Sequence, residues 1–193
     1  KLSKARRSAA KTLSQQVQKQ LTALGMKAAQ LDARLSECSP TPDGLEEVEF
    51  LFSANPGQPL KPLGKVASGG ELSRVSLAIQ VICARNLTVP SLVFDEVDVG
   101  VGGGVAEIVG RLLRELGQHA QVLCITHQPQ VASQGHQHWQ VHKIQGDDTT
   151  HTRIQGLDET ARVEELARML GGVEITESTR NHAKEMLSKA QAA

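Results

Sequence analysis

Two adjacent carboxylates, Asp95-Glu96, close the apolar run Leu92-Val93-Phe94, and a glycine pair lies upstream in Ser68-Gly69-Gly70-Glu71-Leu72-Ser73-Arg74. These residue types suit phosphate chemistry. Two glycines let a backbone approach within hydrogen-bonding distance of a phosphate. Leu72, Val75, Ala78, Ile79 and Ile82 behind them have helical spacing. The glycines therefore stand where a helix begins, and its unpaired N–H groups and positive dipole end favour an anion. Ser68 and Glu71 also have the S-x-x-E spacing of a capping box, a plainer use of the same side chains.

Ser91 to Phe94 reads as a short strand bounded by Pro90, apolar on both faces and expected to be central in a sheet. Carboxylates at the C-terminal tip of such a strand sit where open α/β sheets bind ligands. In a nucleotide site the first can hold Mg²⁺ and the second can orient the attacking water. A solvated acidic turn is the alternative. Gln121 to Ile125 is a second strand, running into Thr126-His127-Gln128-Pro129. His127 thus falls at a strand tip beside a new helix start, as a structural histidine or as a contact to a terminal phosphate.

Taken together these segments resemble a known family. Ser68-Gly69-Gly70-Glu71-Leu72 is similar to the ABC signature loop, Leu92-Val93-Phe94-Asp95-Glu96 to a Walker B strand, Val97-Asp98-Val99-Gly100 to a D-loop and Ile125-Thr126-His127 to a switch histidine. Their order resembles the C-terminal lobe of an ABC-type (P-loop NTPase) ATPase head of the SMC-like class, and the longer strings resemble members that act in DNA double-strand-break repair. The resemblance covers nearly the whole chain. It implies an α/β fold, with residues 1–26 as the returning arm of a coiled coil and 27–193 as the C-terminal lobe. It implies ATP and Mg²⁺ as cofactors, DNA and a second head as partners in a homodimer, no membrane, and a cytoplasmic, nucleoid-associated location. Residue by residue, Asp95 would hold Mg²⁺, Glu96 would position the hydrolytic water and His127 would contact the γ-phosphate. Ser68, Gly69, Gly70 and Glu71 would face the nucleotide of the opposing head, and Asp98 would couple the two sites. The ATPase lobe of a transporter and a non-catalytic dimerisation module are the alternative readings.

One essential part has no counterpart. G-x-x-x-x-G-K-[ST] does not occur. Gly57 to Gly64-Lys65-Val66 has six intervening residues where four are needed, and Val66 stands where a Mg²⁺-binding hydroxyl belongs. The resemblance places the Walker A loop in an N-terminal lobe across a long coiled coil, so the chain is expected to be inactive alone and to have that lobe as a partner. Gly102-Gly103-Gly104 fits neither a Rossmann nor a P-loop spacing.

The remaining features bound the class. With 193 residues, 39% hydrophobic and 22% charged, one core of ordinary size is expected. No apolar stretch approaches the length of a bilayer span. Cys38, Cys83 and Cys124 are far apart, which suits reduced cytosolic thiols. Aromatic residues are 2%, too few for base-stacking platforms. Residues 1–35 hold eight Lys or Arg against Asp32 alone, a balance of +7, while the net charge of the whole chain is zero. A basic helix of this kind can track DNA phosphates, form a solvated face or pair with an acidic coil partner.

Ala10, Leu13, Val17, Leu21 and Leu24 form the stripe of that first helix. Ala29 to Ser36 alternates as a half-buried strand, Pro40, Pro42 and Gly44 predict a turn, and Val48 to Ser53 a second strand. Residues 54–67 read as a loop. Val105 to Leu116 predicts a helix, 137–145 and 149–155 a hairpin turning at Gly146-Asp147-Asp148, and 158–170 and 176–190 two closing helices. His136, His138 and His142 could share a strand face, but no Cys or carboxylate stands in register to complete a metal site.

Overall fold

The computed structural model describes residues 1–65, 69–84, 89–145, 150–171 and 174–191. The chain divides into two compact units, 1–125 and 126–193.

The first unit opens with α1 (Leu2–Ala23), whose stripe is buried at its C-terminal end: Val17, Leu21 and Leu24 have no exposed surface. This end packs on β1 (Gln30–Thr41) and on α2 (Gly69–Cys83), so the base of α1 is part of the core of this unit. β1 pairs antiparallel with β2 (Gly44–Ser53), and β2 with the two-residue β3 (Lys61–Pro62). β1 runs through Pro40 to Thr41 and β2 starts at Gly44, four residues before the expected strand, so the turn shrinks to Pro42-Asp43. The β1–β2 register is irregular between Glu37 and Thr41, which accommodates a proline that has no N–H to donate. Arg6 of α1 clamps the hairpin tip, donating to the Asp43 carbonyl at 2.6 Å and facing the buried Glu46 carboxylate at 3.7 Å.

β4 (Ser91–Phe94), α3 (Gly103–Leu116) and β5 (Gln121–Cys124) form a β-α-β crossover, with β4 and β5 parallel and Phe94 opposite Cys124. α3 is strongly two-faced and buries Ala106, Val109, Leu112, Leu113 and Leu116. The strands match their expected spans, but the expectation of two covered faces does not hold among the described residues. Val93, Leu123 and Ile125 are 67%, 45% and 61% exposed, and all lie on the face opposite Phe94.

The second unit contains the short helix α4 (Pro129–Ala132), the antiparallel hairpin β6 (Trp139–Gln145) and β7 (Thr150–Gly156), and helices α5 (Glu159–Gly171) and α6 (Glu177–Gln191). Its core is Ala132, Leu166, Ala167, Ala183 and Leu187. Asp158 caps α5 by accepting from the Ala161 N–H at 2.8 Å. Thr176 and Thr179 cap α6 reciprocally, each hydroxyl accepting the other's backbone N–H. Gly146-Asp147-Asp148 lies outside the described residues. β6 starts at Trp139, so His136 and His138 precede the strand that carries His142 and the three imidazoles do not share a strand face.

Candidate nucleotide site

The segment 95–100 leaves β4 at the C-terminal edge of the parallel pair, and the Ile125 N–H extends that pairing by donating to the Phe94 carbonyl at 3.0 Å. Asp95 and Glu96 are exposed at the tip, whereas Val97 and Asp98 turn inward and are 0% and 1% exposed. The loop is self-braced. Asp95 Oδ1 accepts the Glu96 N–H at 2.9 Å, and the Val99 N–H donates to the Glu96 carbonyl at 3.2 Å. Glu96 has φ +59°, alone among the described non-glycine residues in the left-handed region, and Gly100 follows at φ +73°. A glutamate held there marks a loop whose shape is imposed by its neighbours.

Those neighbours are the first turns of α2. A Cβ on Gly70 would stand 3.2 Å from the Glu96 carbonyl and 3.4 Å from the Val99 carbonyl, and one on Gly69 would collide with Glu96 Oε2. At Gly70 the approach is to backbone oxygens and leaves little room for a side chain, whereas at Gly69 it is to the movable end of the Glu96 side chain. Ser73 Oγ donates to the Asp95 carbonyl at 2.7 Å, and Arg74 Nη1 donates to the Val99 carbonyl at 2.9 Å.

The structure therefore brings Gly69, Gly70, Glu71, Asp95, Glu96 and Asp98 together on one side of the first unit. Ser68 lies outside the described residues. His127 belongs to the second unit, where it is exposed in the turn in which Thr126 Oγ1 accepts the Gln128 N–H at 3.0 Å, just ahead of Pro129 at the start of α4.

Three further residues belong to this neighbourhood, none with a role expected from the sequence. Ser73 and Arg74, which hold the loop backbone, are the first two. Arg74 is 8% exposed, and burial lowers its guanidinium pKa against the opposing pull of Glu71. Its sequence signal was available: Gly70, Arg74, Leu77 and Ala78 share one buried helical face, and a cation on such a face needs an acceptor. Cys124 is the third. Burial, then the carboxylates of Asp98 and Asp95, push its thiol up to about 12, so at neutral pH it stays protonated.

The donor set is compatible with Mg²⁺ in a limited sense. One Asp95 oxygen is engaged by the Glu96 N–H and the side chain is exposed, which leaves an oxygen available to a hard cation. Among the described residues no group of three His, Cys, Asp or Glu could hold a metal. An ion at Asp95 would take its other ligands from nucleotide and water, the usual way Mg²⁺ is bound.

No protein-family model matches the chain. It is 51% identical over 192 residues to the DNA repair protein RecN of Vibrio cholerae, 45% over 190 residues to that of Haemophilus influenzae and 41% over 205 residues to that of Bacillus subtilis. These alignments cover 98%, 96% and 98% of the chain but 35%, 34% and 36% of the relatives, so it spans about a third of their length, in their C-terminal part. Among solved structures the fold is similar to the Smc head domain with a coiled coil and joint from Pyrococcus yayanosii, with TM-score 0.56 and 19% identity over 84% of this chain and 29% of that one. It is also similar to the Smc head domain from Pyrococcus furiosus solved with an extended coiled coil and the C-terminal domain of ScpA, with TM-score 0.53 and 19% identity over 85% and 39%. With a β4 tip braced by a glycine-started helix, an SMC-head fold and relatives at this identity along its whole length, the chain belongs to the RecN family of DNA repair proteins.

Proposed function

We propose that the chain is the C-terminal lobe of an SMC-like ATPase head acting in DNA double-strand-break repair, in which ATP held between two heads drives their engagement and hydrolysis releases it. The observation that supports this reading is the identity to RecN proteins along nearly the whole chain, together with the packing of Gly69 and Gly70, the proposed signature turn, against the Asp95–Val99 segment, the proposed Walker B tip.

In this reading Asp95 helps to hold Mg²⁺ beside the nucleotide of its own head, and Glu96 orients the attacking water and takes its proton. Bound Mg²⁺ would supply charge neutralisation on the phosphates. Gly69 and Gly70, with Ser68 ahead of them, offer the N-terminus of α2 to the terminal phosphate of the opposing head's nucleotide. His127 contacts the terminal phosphate of the nucleotide bound by its own head, and Asp98 couples the two sites. The open apolar face of Val93, Leu123 and Ile125 fits cover by the lobe that carries Walker A, for which the unmatched length of the relatives leaves ample chain. Among the described residues no helix is long and apolar enough to cross a membrane, and a cytoplasmic, DNA-associated setting is the one we propose.

The test is steady-state ATP turnover of residues 1–193 alone and after addition of a Walker A-bearing N-terminal segment. The expected result is no turnover alone and turnover after addition. Mg²⁺-dependent hydrolysis by the purified chain itself would overturn the split-head reading.

A further inference from the structure

Two hydrogen bonds run from one turn of α2 to the two ends of the loop that bears the carboxylates. Ser73 Oγ holds the Asp95 carbonyl at 2.7 Å, and Arg74 Nη1 holds the Val99 carbonyl at 2.9 Å. Both acceptors are backbone atoms, so the side chains of Asp95 and Glu96 stay exposed at the tip while their main chain is fixed from outside. The Arg74 guanidinium is buried, lies 3.4 Å from the position of a Cβ at Gly70 and leaves its Nε without a partner among the described residues. A buried cation with an incomplete donor set costs stability, and a well-packed apolar side chain at this face would avoid that cost. The bond that the buried guanidinium does make, to the Val99 carbonyl, therefore points to a role for the bond itself.

We propose that Arg74, assisted by Ser73, is a positioning residue that locks the Asp95–Val99 loop to the first turns of α2 and so sets the placement of Glu96 for water activation. This rests on the assignment of Glu96 under Proposed function. Its consequence is mechanical: Gly69 and Gly70 occupy the turn before Ser73 and Arg74, so an anion that seats on the α2 N-terminus shifts or stiffens the same turn that holds Glu96. A phosphate from the opposing head and the catalytic loop of this head are then linked through two hydrogen bonds, without side-chain contact between Arg74 and nucleotide.

The experiment uses the complete protein with its Walker A segment and compares Arg74→Ala, Arg74→Ala with added guanidinium ion in the low millimolar range, Ser73→Ala and Glu96→Gln. A misplacement of the reacting groups by about an ångström costs up to ~10²-fold in rate. Arg74→Ala should therefore lower kcat by roughly 10- to 100-fold, with KM and nucleotide affinity held within about threefold. Guanidinium should recover part of that loss, a response that a general loss of packing would not give. Ser73→Ala, which creates almost no cavity, should lower kcat by a few-fold and supplies the test if Arg74→Ala does not fold. Parental kcat in folded Arg74→Ala or in Ser73→Ala overturns the proposal, as does an Arg74→Ala defect confined to KM. If Glu96→Gln is inactive while the Arg74 and Ser73 variants are parental, only the brace falls. If Glu96→Gln itself turns over at the parental rate, the assignment beneath it falls.

Discussion

The carboxylate of Glu96 fills the space that a side chain at Gly69 would need, so the proposed water-activating residue rests against the proposed phosphate-binding turn of the same chain. Gly69→Ala is correspondingly expected to expel the Glu96 side chain. Alanine is otherwise favoured over glycine in a helix by about 0.5–1 kcal/mol, so the clash and the helix propensity act in opposite directions. In the complete protein ATP turnover should fall by about 10-fold or more while the thermal midpoint changes little. Parental turnover would show that Glu96 does not depend on this seat.

Glu96→Gln removes the proposed proton acceptor and leaves Asp95 and the loop in place. Nucleotide affinity of the complete protein should survive, and hydrolysis should slow by roughly 10²- to 10⁴-fold, the usual contribution of a positioned general base. ATP-engaged dimers should then accumulate in sedimentation or crosslinking. Loss of nucleotide binding together with turnover would reassign Glu96 to binding.

The basic face of α1 is tested by salt. Lys4, Arg7 and Lys11 are exposed, whereas Arg6 is committed to the Asp43 carbonyl and faces Glu46. Replacing Lys4, Arg7 and Lys11 by Gln in the complete protein should weaken DNA binding and reduce the log–log salt slope by about 0.9 for each phosphate that is no longer neutralised. Arg6→Gln should instead lower thermal stability. An unchanged salt slope in the triple variant would make this face a merely solvated one.

His138 gives a pH signature in the second unit. Burial, and then the Arg162 cation, hold its imidazole pKa below the ordinary value of 6.5, with Glu165 opposing. The unfolded chain then binds more protons than the folded one, so this contribution is complete above the ordinary value and is lost as pH falls below it. Thermal midpoints should drop between about pH 7 and about pH 5, and His138→Gln should flatten that drop. A variant that tracks the parent over this range would assign the loss to other groups.

Periodicity made α2, β4, α3, α5 and α6 legible in the sequence, because each repeats its burial pattern over several residues. The β1–β2 turn was drawn too wide because Pro40 reads as a breaker, whereas the irregular register between Glu37 and Thr41 tolerates it. The open face of Val93, Leu123 and Ile125 was hidden for a different reason: an apolar residue records that a face is meant to be covered, not what covers it. Within the site, the motifs named Gly69, Gly70, Asp95, Glu96 and Asp98. The bonds from Ser73 to the Asp95 carbonyl and from Arg74 to the Val99 carbonyl join backbone atoms more than twenty positions away, and such acceptors leave no trace in residue type.

The central claim is a composite site, with Walker B chemistry on one head and the signature turn supplied by the other. Its most direct test is ATP turnover by the complete protein carrying Ser68→Arg, alone and mixed with a Walker A-dead complete protein. Ser68→Arg should bind ATP but neither engage nor hydrolyse it, and the Walker A-dead protein should be silent by itself. In the mixture one of the two sites of each heterodimer pairs an intact Walker A with an intact signature turn, and turnover should reappear. Hydrolysis by Ser68→Arg alone at the parental rate would contradict the account, because the serine would then be only a helix cap.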